Sequence, residues 1–271
     1  MPAFRPLRRF HPFGTRRRTL VLCALPVVAL LAVAGAAPLP FAVAQPGLTA
    51  DVLGAYRGKP VITVSGEPVR RTEGELLMTT IAATPPDADV RLDEVAGAWF
   101  DTDRAVLPRD SVYPVGDTTE EIREHNTAQM RRSQEAAVTA ALRALHLSPD
   151  EVEIELRLSD VGGPSAGLLF ALGIVAKLDG DGRGEGLTGG RTIAGTGTIE
   201  PDGDVGPVGG VPLKTQAAKR DGATVFLVPR AECEDAQAEL PQGLRLVPVA
   251  TLDGALDSLR ALRDGGPVPS C

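Results

Sequence analysis

The sequence predicts an α+β domain carried behind one apolar N-terminal helix. Three observations lead there. The stretch "EVEIELRLS" (151–159) alternates strictly, with Val152, Ile154, Leu156 and Leu158 on one side and charged residues between them, the period of a half-buried strand. The stretch "PSAGLLFALGIVAKL" (164–178) is apolar on nearly every side, as expected of a helix buried in a core. Further strand-like and helix-like segments are mixed without a regular βαβ repeat, which favours α+β over a doubly wound sheet.

The 271 residues suffice for a sizeable core. No charged residue occurs from Leu20 to Ala50, and Arg5, Arg8, Arg9, Arg16, Arg17 and Arg18 precede that run. This pattern predicts a basic cytoplasmic tail (1–18) and a transmembrane helix (19–44) with the remainder outside the cytoplasm. A cleaved signal peptide is the competing reading, because Ala42-Val43-Ala44 is an A-x-A site. Beyond the arginine-rich start the chain carries 22 basic residues against 35 acidic ones, so it has no electrostatic footprint for nucleic acid. Cys23 lies in the apolar run, leaving Cys233 and Cys271 as an even pair in an oxidising place. One disulfide from the C-terminal tail (266–271) to the body is expected, with two free thiols as the alternative.

Residues 45–58 read as a linker, and 59–265 as the folded domain. Segments 60–66 and 74–82 read as strands. Residues 83–117, rich in Pro, Asp and Gly, read as a long ordered loop with Trp99, Phe100 and Tyr113 as packing anchors. A helix is expected from Asp117 or Thr118, with acids in its first turn, to about Leu145. The loop 179–186 begins like a calcium loop, but the twelfth position is Gly190 rather than Glu, so no metal is expected. A strand over 191–200, a turn, a helix with Pro212 at its start and Gly222 past its end, strands over 223–229 and 244–250, and a helix over 251–262 complete the chain.

Gly163-Pro164-Ser165-Ala166-Gly167 fits the G-x-S-x-G pattern of a nucleophilic serine. In α/β-hydrolases an acid and then a histidine follow that serine. The three histidines here, His11, His125 and His146, all precede it, so that reading fails on order. Lysine is the other base used with serine. The chain has four lysines (Lys59, Lys177, Lys214, Lys219) against 24 arginines, which stay protonated and cannot serve. Lys214 follows the glycine-rich "VGPVGG" and falls in the first turn of a predicted helix, where the helix field and apolar neighbours disfavour the ammonium. On these grounds a surface lysine on an amphipathic helix remains the alternative, and Lys219 suits it better.

Taken together, the "GPSAG" turn and "PVGGVPLK" resemble the proteolytic domain of the Lon protease family over roughly residues 60–263. The family's serine motif matches at Ser165. Its lysine, four residues after a Gly-Gly pair, matches at Lys214. The threonine of its Thr-Gly pair, which helps hold the lysine amine, matches at Thr196. The resemblance is nearest to the membrane-anchored Lon-like serine proteases that carry PDZ domains, which "AQPGLTADVLG", "GELLMTTI" and "YPVGDTTEE" echo. Two departures stand out. Only some twenty residues separate Leu145 from Ser165, where a PDZ domain of about 80 to 90 residues would sit. The acid found three positions before the serine in ATP-dependent relatives is Gly162 here, with Asp160 two positions earlier.

The resemblance implies an ATP-independent serine endopeptidase acting on exported or membrane protein segments. Ser165 would be the nucleophile, Lys214 the base and Thr196 its support, while the free backbone amides of Ser165 and Ala166 at a helix start would line an oxyanion hole. No phosphate-loop pattern occurs in the sequence. No cofactor is implied, partners are protein or peptide substrates and the membrane, and homo-oligomers are a family habit. The alternatives are a catalytically inactive membrane-anchored scaffold of the same fold and an unrelated serine hydrolase.

Overall fold

The computed structural model describes residues 13–115, 118–158, 163–179 and 186–271. In chain order, α1 (Phe13–Ala36), β1 (Phe41–Asp51), β2 (Ala55–Tyr56), β3 (Lys59–Pro60), β4 (Ile62–Ser65), β5 (Glu75–Ala83) and α2 (Leu92–Trp99) come first. Next are β6 (Ala105–Pro108), α3 (Arg109–Val112), α4 (Thr119–Ala144), β7 (Glu153–Leu156), a 3-10 turn (Pro164–Ala166) and α5 (Gly167–Leu178). The rest is β8 (Thr192–Gly195), β9 (Thr198–Ile199), β10 (Val205–Gly206), α6 (Val211–Arg220), β11 (Val225–Pro229), α7 (Cys233–Ala238), β12 (Arg245–Val249) and α8 (Leu252–Arg263).

The α+β expectation holds. A six-stranded sheet runs β12-β11-β8-β5-β1-β6. Its β5, β8, β11 and β12 are parallel, and β1 is antiparallel to both β5 and β6. The residues of β11, "VFLVP", are all buried, as a strand covered on both faces requires. Behind the sheet lies α5, buried at every residue from Gly167 to Ala176. Helix α4 covers α5 with a stripe of small residues, Ala137, Ala140 and Ala141, which lets the two helices approach closely. Thr118 starts α4 with a capping box: its hydroxyl accepts from Glu121 N while the Glu121 carboxylate accepts from Thr118 N. Residues 145–152 connect α4 to β7, so no further domain is inserted there.

Four expectations need correcting. Residues 45–58 are not a linker: β1 runs through Asp51 as an inner strand, and β2 and β3 form a small hairpin. The apolar helix ends at Ala36 rather than 44, because Phe41–Ala44 pair with β6 and bury Ala42 and Ala44. The segment 83–117 holds α2, β6 and α3, and of its aromatics only Tyr113 is tied in, donating its Oη to Thr84 O. Trp99 and Phe100 stand 73% and 88% exposed, so they anchor no core. Finally, the expected strand over 191–200 is broken between β8 and β9 at Thr196-Gly197, a break that matters for the site.

Helix α1 offers a 20-residue stretch, Arg17–Ala36, of mean hydropathy 2.5, long and apolar enough to cross a membrane. A signal sequence has the same character. Cleavage after Ala44 would cut into β1, since β6 pairs through Phe41–Ala44 with β1 alone. Removing residues 1–44 is therefore expected to strip β6 from the sheet and lower stability by more than about 2 kcal/mol relative to removal of 1–37, read as the denaturation midpoints of the two truncated proteins.

Candidate active site

Ser165 sits in the 3-10 turn that leads into α5, half-buried between Pro164 and the fully buried Ala166. Gly163 enters this turn at φ +91°, a conformation closed to most L side chains. Three hydrogen bonds clamp the turn. Ser133 Oγ of α4 donates to Pro164 O at 2.9 Å, Gly197 N donates to Ser165 O at 2.9 Å, and Leu168 N donates to Gly197 O at 3.2 Å. The approach is close enough that a Cβ on Gly167 would stand 2.9 Å from both Ile199 Cγ2 and Ser133 Oγ. Asp160 and Gly162 lie outside the described residues.

Lys214 stands in the first turn of α6, one residue after Leu213 and four after Gly210, the helix N-cap. It is 3% exposed, which rules out the surface-lysine alternative. Its Nζ donates to Thr196 Oγ1 at 3.2 Å, and Thr196 Oγ1 donates to Ser165 O at 3.2 Å. Thr196 is fully buried, at the break between β8 and β9. The structure thus brings Ser165, Lys214 and Thr196 together, and among the described residues the hydrogen bonds linking serine turn to lysine run through Thr196. Burial pushes the Lys214 amine down from 10.5 to about 8, partly offset by the nearby Glu232 carboxylate, which pulls it back up. At neutral pH roughly a tenth of the lysine is then unprotonated and able to accept a proton.

Glu232 is the residue that the sequence did not announce. It follows β11 and is buried at 8% exposure, and its Oε2 accepts from Val208 N at 3.0 Å in the "PVGG" approach to α6. Burial raises its carboxyl, while the Val208 N–H and Lys214 act to lower it. In sequence it belongs to an acidic run, Glu232-Cys233-Glu234-Asp235, whose natural reading is a solvated face; only the fold turns one acid inward. The next residue, Cys233, is joined to Cys271 with their Cα atoms 5.3 Å apart, so the C-terminal tail is fastened beside this carboxylate. His125, on α4, pairs with Gln129, and His146 lies exposed just after α4.

A mixed sheet, a buried lysine on the helix that follows β8, and a serine turn heading the central helix define a class. Residues 115–260 match the Lon protease (S16) C-terminal proteolytic domain, more than half of the chain, and the chain belongs to that family. Among curated relatives, Lon protease 2 of Bacillus subtilis (strain 168) is 33% identical over 130 residues, 45% of this chain and 21% of that protein. Lon protease of Roseiflexus castenholzii (strain DSM 13941 / HLO8) is 35% identical over 126 residues, 43% of this chain and 15% of that protein. The archaeal Lon protease of Halobacterium salinarum (strain ATCC 700922 / JCM 11081 / NRC-1) is 26% identical over 163 residues, 56% of this chain and 22% of that protein. The chain thus spans about a fifth or less of the length of these relatives.

A lysine depressed from 10.5 to about 8 has a definite effect on stability. The unfolded chain binds the extra proton more tightly, so folding is opposed by roughly 3 kcal/mol below pH 8 and relieved as pH rises towards 10.5. Lys214→Met, of similar length and uncharged, is expected to be more stable than wild type at pH 7 by up to about 3 kcal/mol, with the gap narrowing by pH 10. Denaturant unfolding of both proteins at the two pH values checks the sign.

Proposed function

We propose that the chain is a serine endopeptidase with a serine–lysine pair that cleaves without ATP, held at a membrane by α1 and acting outside the cytoplasm. The observation that carries this reading is the amine of Lys214: buried, depressed to about 8, and hydrogen-bonded into the turn that presents Ser165. Neutral Lys214 takes the proton of Ser165 Oγ as the oxygen attacks a peptide carbonyl. The resulting ammonium then protonates the leaving amine, and a water deprotonated by the same lysine releases the acyl group from Ser165. Thr196 orients the amine through the bond at 3.2 Å. The backbone amides of Ser165 and Ala166, in the 3-10 turn, would receive the oxyanion. Family membership supports the peptide substrate class.

Retention of α1 as an anchor is supported by β1. Cutting after Ala44 would divide a strand whose Ala42 and Ala44 are both buried, and would remove the segment that pairs with β6. The arginines at 16–18 support a cytoplasmic N-terminus. In the absence of a partner that unfolds substrates, the suitable ones are extended or disordered segments of exported or membrane proteins.

The test is cleavage of an unfolded protein without ATP by the detergent-solubilised chain. Ser165→Ala and Lys214→Ala are each expected to reduce turnover by at least about a thousandfold, and Thr196→Val by about tenfold to a hundredfold. Undiminished activity in Lys214→Ala would eliminate the proposed base. A folded wild-type protein that turns over no peptide would instead mark the chain as a scaffold. Because the base must be neutral, kcat/KM is expected to climb close to tenfold per pH unit below pH 8 and to level off above an inflection at about 8. A flat profile between pH 6 and 9 would contradict that assignment.

A further inference from the structure

Helix α2 is short, and part of its apolar side faces outward. Leu92, Ala96 and Trp99 fall at i, i+4 and i+7 on one exposed face, with Phe100 just beyond. Next to this stripe, the half-buried Val95 and Ala98, buried at 1%, fasten α2 to the domain. Large apolar side chains at 48% (Leu92), 73% (Trp99) and 88% (Phe100) exposure, close together, call for a partner.

Two features of the chain say which partner. First, α2 lies against the end of α1: Leu92, Asp93, Ala96 and Arg91 share a notch with Ala32, Gly35 and Ala36. Second, almost no chain separates the span from the sheet. Helix α1 ends at Ala36 and β1 begins at Phe41, and the connection is itself held, with Leu39 N donating to Val90 O at 2.8 Å. A helix of 20 residues from Arg17 is about 30 Å long, the thickness of a hydrocarbon core, so its last turn lies at the boundary opposite Arg17. Whatever touches Ala32–Ala36 therefore sits at headgroup depth.

We propose that α2 is an interfacial helix: its Leu92–Ala96–Trp99 stripe and Phe100 enter the headgroup layer of the bilayer crossed by α1, seating the domain directly on the membrane surface. This rests on the reading of α1 as a retained anchor. Trp side chains suit that layer, where an apolar ring meets a wet boundary. The charges around the stripe are Arg91, Asp93, Glu94, Asp101, Asp103 and Arg104, a net acidic set, so the contact is apolar rather than an attraction to anionic lipid. The seating also reaches the site. Two residues past Phe100, Thr102 O accepts from Gln216 Nε2 at 2.9 Å, and Gln216 is on α6 two residues after Lys214.

Trp99 is the only tryptophan in the chain, which makes it its own probe. The full chain is reconstituted into phosphatidylcholine vesicles, with and without phosphatidylglycerol, and flotation is recorded first. Trp99 emission is then measured with a nitroxide placed near the lipid headgroup, with one at the acyl-chain end, and with aqueous iodide. The expected result is flotation, loss of roughly half the emission to the headgroup-proximal nitroxide, a smaller loss to the deep one, protection from iodide, and no dependence on phosphatidylglycerol or salt. Flotation with Trp99 open to iodide and untouched by either nitroxide would overturn the interfacial helix while leaving the anchor in place. Emission shifted to the blue without lipid quenching, and lost on dilution into excess lipid, would assign the patch to a second copy and overturn the proposal. Failure to float would remove both readings. In Trp99→Phe/Phe100→Trp, the same quenching pattern is expected from the neighbouring position.

Discussion

The structure depends on keeping one amine dry. Lys214 has 3% of its surface exposed, and its ammonium gains little from the protein beyond the hydroxyl of Thr196 and the field of Glu232. In water that amine would be protonated almost completely at neutral pH, and it would be useless as a base. Burial lowers it, and burial requires a wall on every side. Thr196 stands against the amine, and α6, which carries it, packs on β1 and β5. Glu232 pulls the other way, offsetting part of the shift that burial causes.

That requirement explains why residues far apart in the chain converge. The sheet strand that could have run through 191–200 breaks at Thr196-Gly197, and the break lends its backbone to the serine turn: Gly197 N and O bond Ser165 O and Leu168 N. The helix behind the serine is buried over ten consecutive residues, so the turn at its head is fixed to the densest part of the core. Ser133 on α4 completes the clamp from outside. Three elements thus hold Ser165 in place at half-burial.

Much of this was legible in the sequence, for physical reasons. Strict alternation at 151–159 and the apolar run at 164–178 have only one comfortable structural solution each, and the pairing of "GPSAG" with "PVGGVPLK" is far more specific than either alone. Segments with composite patterns were less legible. Residues 41–44 continue the apolar run and 45–51 carry Pro46 and Gly47, so a helix end followed by a linker is the natural reading; the alternation of buried Ala42, Ala44 and Ala50 is too weak in small side chains to signal an inner strand. Trp99 and Phe100 read as core anchors because large aromatics usually are, and only the fold leaves them outside. The inward turn of Glu232 carries no local sequence signal, since it depends on where β11 ends relative to α6.

The central claim concerns the protonation of a single side chain, and the chain has only three other lysines with which it could be confused. Lysine labelled with 13C at Cε, incorporated into Ser165→Ala to prevent self-cleavage, allows each amine to be followed by NMR between pH 6 and 11. The account predicts one resonance, absent from a matching Lys214→Met sample, that titrates with a midpoint at about 8. A Lys214 resonance that titrates at the ordinary lysine value of about 10.5 would contradict it, because an amine protonated to that pH could not serve as the proposed base for Ser165.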